Sequence, residues 1–259
     1  MPIESVARHG DAAIPSIAIR NGDVDWTQWP VEDYVHENYG WLHPADAAVI
    51  DHHTACYRRL APDSLSRSLE LGAGPNLYPL MLATAASRRI EAVEPSAANV
   101  AYLRRQLAEG PDAHWLPFYA RCRTGNPTLP DDPHQALSRV RVLRGSATAL
   151  PPGRYDLASM NFVAESVTED LAEFGELCHA LVRAVRPGGQ IIAAFMENMR
   201  RYAVGTDSSW PGVPVDQDVV RAVFAPWTAG LAISRIDVDP TLPNYGYTGM
   251  LLLTARRAR

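Results

Sequence analysis

The chain has 259 residues, 47% apolar and 20% charged, the usage of one large globular domain, or one domain with an elaborated terminus, rather than of a disordered, collagen-like or coiled-coil chain. Its 24 basic and 29 acidic residues leave a net charge of −5, which disfavours a nucleic-acid partner held by phosphate neutralisation. Every basic residue is an arginine, so Schiff-base lysine chemistry and the lysine of a phosphate loop are excluded.

Residues 1–30 mix polar and apolar types around Pro2, Pro15, Pro30, Gly10 and Gly22 and read as a poorly structured arm without chemistry. Two helices follow, one over VEDYVHENYG at 31–40 and one from Pro44 to about Leu60, where the proline suits a helix start. Short apolar runs bounded by turn signals read as strands at 68–72, 89–94, 140–145, 155–162 and 190–195. Helical periodicity fills 76–86, 97–110 and 169–185, and such alternation predicts βαβ units and a parallel sheet. In the last of these helices Leu171, Phe174, Leu177, Leu181 and Val185 share one face, and Pro187-Gly188-Gly189 is expected to stop it. A helix at 216–225 and a hairpin-like pair, 231–239 with 249–256, close the sheet with one antiparallel strand. The division expected is an arm and helical lid over 1–64 and an α/β domain over 65–259, with an insertion of undetermined structure at 108–138.

Cys56, Cys122 and Cys178 are odd in number, widely spaced and without a C-x-x-C pair, so neither a disulfide framework nor a zinc site is indicated. No basic start precedes an apolar run, and no stretch nears the ~18 apolar residues of a membrane span. A cytoplasmic protein with no metal, membrane or nucleic-acid partner is expected, monomeric or a weak homodimer.

Glu70-Leu71-Gly72-Ala73-Gly74-Pro75-Asn76 joins a strand to a helix, where glycines admit a ligand close to the backbone and free N–H groups favour polar atoms. A glycine pair alone serves a tight structural turn equally well. Leu77 stands where a dinucleotide fingerprint wants its third glycine, and Pro75 lacks an N–H, so NAD is disfavoured. Glu94 ends the second strand 22 residues after Gly72, the spacing at which a carboxylate accepts both ribose hydroxyls of an adenosine.

E-x-G-x-G, the acidic end of the second strand and the R-P-G-G turn before the fifth resemble a class I S-adenosylmethionine-dependent methyltransferase over most of residues 65–256. LELGAGPNLYPLM, VEPSAANVAYL and DYVHENYG, with Tyr34 and Tyr39 five residues apart, are similar to the small-molecule family of nicotinamide, phenylethanolamine and thioether methyltransferases. The resemblance implies a Rossmann-like, seven-stranded, mostly parallel sheet with one antiparallel strand and an N-terminal helical lid, with S-adenosylmethionine as cofactor. It also implies roles by position. Gly72, Ala73, Gly74, Asn76 and Tyr78 would line the methionine and adenosine path. Glu94, with Pro95, Ser96 and Asn99, would hold the ribose and adenosine edge. Ser146 and Ala147 would meet adenine, although Ser146 replaces the usual aspartate. Asn161 and Phe162 would face the cofactor from the carboxyl edge of the sheet, and Tyr34 and Tyr39 would close over it.

For the acceptor, the resemblance points first to Glu197; Glu165, just after the fourth strand, comes second, and Tyr34, Met196 and Tyr202 are further candidates. His52 or His53, which point apart on a helix, offers one proton acceptor. Trp41, His43, Trp210 and Tyr245 supply further wall for a flat molecule. The catalytic candidates are Glu197, His52 and Tyr34. The activity expected is methylation of a small aromatic, indolic or amine-bearing acceptor in bacterial secondary metabolism, with methylation at indole carbon 3 to a pyrroloindoline as its sharpest form. N-methylation of a small amine, or S-adenosylmethionine sensing without turnover, are the alternatives.

Overall fold

A computed structural model describes residues 18–205 and 208–259; the first part of the arm lies outside them. In chain order the elements are α1 (Val31–Tyr39), α2 (Pro44–Tyr57), β1 (Ser68–Leu71), α3 (Tyr78–Ala83), β2 (Ile90–Glu94), α4 (Ala97–Glu109), α5 (Leu116–Gly125), α6 (Pro133–Leu137) and β3 (Val140–Arg144). There follow β4 (Tyr155–Asn161), α7 (Leu171–Ala184), β5 (Val185–Glu197), β6 (Tyr202–Val204), β7 (Ser208–Trp210), α8 (Gln217–Phe224), β8 (Thr228–Asp237) and β9 (Gly249–Arg257). Seven strands pair in the order β3-β2-β1-β4-β5-β9-β8, and β9 runs antiparallel to both of its neighbours. The expected sheet, with its single reversed strand, is the one found. Among the described residues no helix is long and apolar enough to cross a membrane.

β1 and β2 are buried along their whole length, as strands covered on both faces must be. On one face α2, α3 and α5 bury Ile50, Tyr57, Leu80, Trp115 and Phe118; on the other α7 and α8 bury Phe174, Leu181 and Phe224 against Phe195. Each such side chain contributes about 1.5–3 kcal/mol on removal from water. Local chemistry starts the helices: Pro44 in the first turn of α2, and Ser96, Asp170 and Asp216 accepting N–H groups at the starts of α4, α7 and α8.

Several expectations change. Leu171 is exposed, because it sits at the first position of α7 before the helix reaches the sheet, while Phe174, Leu177 and Leu181 are buried. α7 ends at Ala184, and the R-P-G-G segment lies inside β5 at a register shift against β4. The insertion is folded: α5 brings fully buried Phe118 and Cys122 onto α2 and α3, after a Trp115 that is equally buried. β6 and β7 form a small hairpin the sequence did not announce. The arm is structured from residue 18, with 3-10 turns at Asn21–Asp23 and Trp26–Gln28. Glu169 and Glu173, at and beyond the start of α7, accept Ile19 and Asn21 N–H at 3.1 and 2.9 Å, and Ser96 Oγ donates to Trp26 O at 3.1 Å.

Candidate active site

Strand order reverses between β1 and β4, the switch point at which open α/β sheets bind ligands beyond the strand carboxyl ends. A cleft lies there. Gly72 and Gly74 take φ of 64° and 54°, the left-handed region that side chains avoid. A Cβ on Gly72 would stand 2.6 Å from Val163 Cγ1, so glycine also lets the β1 turn close on the end of β4. Three amides of this turn are already used: Gly72 and Ala73 N–H donate to Val93 O at 2.8 and 3.3 Å, and Gly74 N–H to Glu94 Oε2 at 3.0 Å. No free donor is found at Gly72, Ala73 or Gly74, and what these residues offer a ligand is close backbone approach.

Glu94 lines the cleft and is 4% exposed. Its Oε1 accepts Ser96 N–H at 2.9 Å and Asn99 Nδ2 at 3.2 Å. With Gly74 on Oε2, three of a carboxylate's roughly four lone-pair sites are filled. One site on Oε2 remains, which suits a single hydroxyl rather than the expected pair. Burial pushes this carboxyl up from its usual range, against the pull of its three donors. Pro95, Asn99, Ala73 and Asn76 line the same cleft.

Asn161, Phe162 and Val163 form its β4 wall. Phe162 has a φ of 58° without being glycine. Behind it, His53 Nε2 lies 2.7 Å from Asn161 Oδ1, and Asn161 Nδ2 donates to Glu70 Oε1 at 2.9 Å. Ser159 Oγ donates to the other Glu70 oxygen. Burial pushes His53 down to about 3 and Glu70 up to about 7. His53 therefore stands behind the wall as a neutral ring, and His52 lies beyond it, its Nδ1 3.4 Å from His53 Nδ1. Neither histidine lines the cleft, so direct acceptor contact is corrected for both.

The roof joins expected and unexpected residues. Tyr34 and Tyr39 of α1 line the cleft with ring centroids 5.8 Å apart, and burial pushes the Tyr34 hydroxyl up to about 12. Asn21, Trp26 and Trp29 of the arm line it too, which corrects the assignment of no chemistry to that segment. Trp26 stacks on Trp210 at 5.3 Å; Trp29 meets Trp210 edge-on at 4.8 Å and Tyr34 at 5.1 Å. Tyr202 lines the cleft as expected, backed by Tyr245 at 5.4 Å. Trp26, Trp29 and Trp210, three of the chain's six tryptophans, were the sequence signal for this wall.

The two acceptor carboxylates differ. Glu197 lies outside the cleft lining, with its Oε2 2.8 Å from both Arg235 Nε and Thr248 Oγ1; as placed it ties β5 to β8 instead of facing an acceptor. Glu165 is fully buried. Its Oε1 accepts Met196 N–H at 2.7 Å, its Oε2 has no partner among the described residues, and desolvation pushes the carboxyl up to about 8. Other candidates also stand off the lining. Tyr78 packs under the turn against Phe118, its N–H on Asn76 Oδ1 at 3.2 Å. Ser96 caps α4 and anchors the arm, and Met196 is taken up by Glu165. Ser146 is exposed and caps a 3-10 turn that begins at Ala147. Trp41 and His43 lie on a separate groove with Thr241.

The sequence profile of the NNMT/PNMT/TEMT family matches residues 22–258. The chain belongs to this family. It is 26% identical to indolethylamine N-methyltransferase of Mus musculus over 201 residues, 73% of this chain and 76% of that relative. Its fold is similar to an N-methyltransferase of Bradyrhizobium japonicum solved with S-adenosyl-L-homocysteine, with a TM-score of 0.50 and 12% identity over 80% of this chain and 86% of that one. It is also similar to 1,6-didemethyltoxoflavin-N1-methyltransferase of Burkholderia thailandensis, with a TM-score of 0.50 and 18% identity over 83% and 80% of the two chains. Like other members of the NNMT/PNMT/TEMT family, the protein is an S-adenosylmethionine-dependent small-molecule methyltransferase. The cleft fits that cofactor: its glycines admit close approach, Glu94 keeps one acceptor site, and aromatic rings cover the mouth.

Proposed function

We propose that the enzyme methylates a flat aromatic acceptor of the indole class, seated against Trp29, Tyr34 and Tyr202. The observation that carries this reading is the wall of stacked and edge-on rings contributed by the arm, α1 and the β6–β7 hairpin, because flat apolar surface with few polar groups selects a planar molecule. S-adenosylmethionine supplies a methyl group made electrophilic by its sulfonium. Gly72, Gly74 and Asn76 would admit its methionine portion and Glu94 would hold a ribose hydroxyl, with Pro95 and Asn99 alongside; Ser146 and Ala147 remain the candidates toward adenine. Tyr34, Tyr39, Trp26 and Trp29 exclude water and orient the acceptor, and holding nucleophile and methyl carbon about 3 Å apart in a dry site supplies most of the rate.

The carboxylate role passes from Glu197 to Glu165. Glu165 also stands off the cleft lining, but its Oε2 is buried without a hydrogen-bond partner among the described residues, and it directly precedes Ser166, which lines the cleft. A hydrogen bond from an indole N–H to that oxygen raises electron density at carbon 3 as the transition state forms. N-methylation of an arylalkylamine is the second reading, favoured by the similarity to a mouse enzyme named for indolethylamine.

The test is incubation with S-adenosylmethionine and a pool of indoles and aryl amines, followed by mass spectrometry and product NMR. A methyl on carbon 3 supports the first reading and one on the amine nitrogen the second. Turnover confined to aliphatic amines refutes the aromatic acceptor.

A further inference from the structure

The β4 wall of the cleft is held in a conformation its sequence does not favour. Phe162 is a bulky residue with φ of 58°, and such a residue stays left-handed only where its surroundings over-determine it. Its own backbone bonds, Phe162 N–H to Ala194 O at 2.8 Å and Ser166 Oγ to Phe162 O at 2.6 Å, fix one side. The other side is the preceding residue, Asn161, whose amide is gripped at both ends: Oδ1 by His53 Nε2 at 2.7 Å and Nδ2 by Glu70 Oε1 at 2.9 Å. Since both ends are engaged inside the protein, the Asn161 amide is committed to holding the wall.

We infer that His53, Asn161 and Glu70 form a buried positioning strut for methyl transfer, which keeps Phe162 left-handed and its ring in the cleft. This inference rests on the reading of the cleft given above. None of the three is a catalytic residue in it; each acts through Phe162.

The strut has a defined proton arrangement. With Glu70 ionised, Asn161 must turn Nδ2 toward it, Oδ1 then faces His53, and His53 must carry its proton on Nε2. Protonating Glu70 on Oε2 reverses its bond with Ser159 and leaves Oε1 accepting from Asn161. The Asn161–His53 arrangement is therefore the same in both ionisation states of Glu70. Tyr57 and His53 of α2, Tyr78 of α3, and Ser159 and Asn161 of β4 are the polar and titratable groups facing Glu70; His52, acted on by Arg59, lies one step further out. No cation stands among these groups, so Glu70 rather than an ion pair sets the arrangement.

The experiment compares His53→Leu, His53→Gln and Glu70→Gln with the wild type. Glutamine at 53 donates to Asn161 without titrating, and leucine does not donate. Fluorinated phenylalanine gives an activity-free readout, since the chain has only five phenylalanines and Phe162→Leu identifies the Phe162 line. His53→Leu is expected to move or broaden that 19F line and to lower kcat about tenfold or more, with acceptor KM changed less than about threefold. His53→Gln restores the line and most of the rate. Glu70→Gln, which keeps both hydrogen bonds, is expected to leave the line and most of the rate in place. An unmoved Phe162 line in His53→Leu overturns the strut, as does a glutamine variant at 53 no better than leucine or a Phe162 line displaced in Glu70→Gln. If His53→Leu does not fold, the His53→Gln and Glu70→Gln lines decide. Should the wild type turn over no acceptor, the reading of the cleft fails, while the fluorine lines still judge the strut.

Discussion

How many ribose hydroxyls Glu94 holds can be measured. Three protein donors already occupy its oxygens, Gly74 N–H, Ser96 N–H and Asn99 Nδ2, leaving one lone-pair site. One charge-assisted hydrogen bond to a ligand is worth about 1.5–3 kcal/mol, or roughly 10- to 150-fold in Kd. Two such bonds would be worth about 3–6 kcal/mol, at least roughly 150-fold. Glu94→Ala also frees Gly74 N–H and loosens the turn, so the cleaner perturbation is on the ligand. Calorimetry of wild-type protein with the 2′-deoxy and 3′-deoxy forms of S-adenosylhomocysteine leaves the turn intact. One analogue is expected to weaken by roughly 10- to 150-fold and the other only slightly, and in Glu94→Ala the sensitive analogue loses its distinction. Equal, large losses from both would refute the lone-pair count; no loss from either would remove Glu94 from the ribose altogether.

Trp29→Ala should raise acceptor KM roughly 5- to 150-fold, from about 1–3 kcal/mol of aromatic burial, while S-adenosylhomocysteine affinity stays within about threefold; steady-state kinetics and calorimetry check this, and an unchanged KM removes the wall. Gly72→Ala should destabilise by about 2–5 kcal/mol in denaturant melts, combining a left-handed side chain with overpacking against Val163, and adding Val163→Ala should recover the overpacking share. Burial raises Asp46, Glu70 and Glu165 to about 8, 7 and 8 from their ordinary values of 3.8, 4.5 and 4.5. The native state therefore binds these protons more tightly than the unfolded chain. The stability is fully present below the unfolded values and lost as pH rises through 7 to 8. Melts from pH 6.5 to 8.5 should show a falling denaturant midpoint, less steep in Glu165→Gln; a rising midpoint contradicts the assignment.

The sheet was legible because its strands are short apolar runs punctuated by turns, and Glu70 to Asn76 and Glu94 because their chemistry is local in sequence. What escaped was long-range or aperiodic. The 3-10 turns around Trp26 and Trp29 carry no helical or strand period, so a cleft-lining arm read as an inert one. The position of Glu197 at the end of β5 was readable, but its partner Arg235 reaches it across β9 from β8, a register no local pattern encodes. His52 and His53, expected to point apart, bring their Nδ1 atoms within 3.4 Å, and the contact of His53 with Asn161, 108 residues away, depends on tertiary packing. The insertion hid its core helix because its prolines and acids resemble loop punctuation, although Pro117 simply opens α5.

The arm crosses the cleft from the start of α7, where Ile19 and Asn21 are held by Glu169 and Glu173, to the start of α4, where Ser96 holds Trp26 O. Spanning the two halves of the sheet in this way makes it a tether as well as a roof. If a bound molecule leaves past residues 19–29, those few hydrogen bonds and the tryptophan stack must open with it, and residence time follows the lifting of this segment. Substitutions at Glu173 or Ser96, neither of which lines the cleft, would then act on how long product stays, leaving the chemical step as it was.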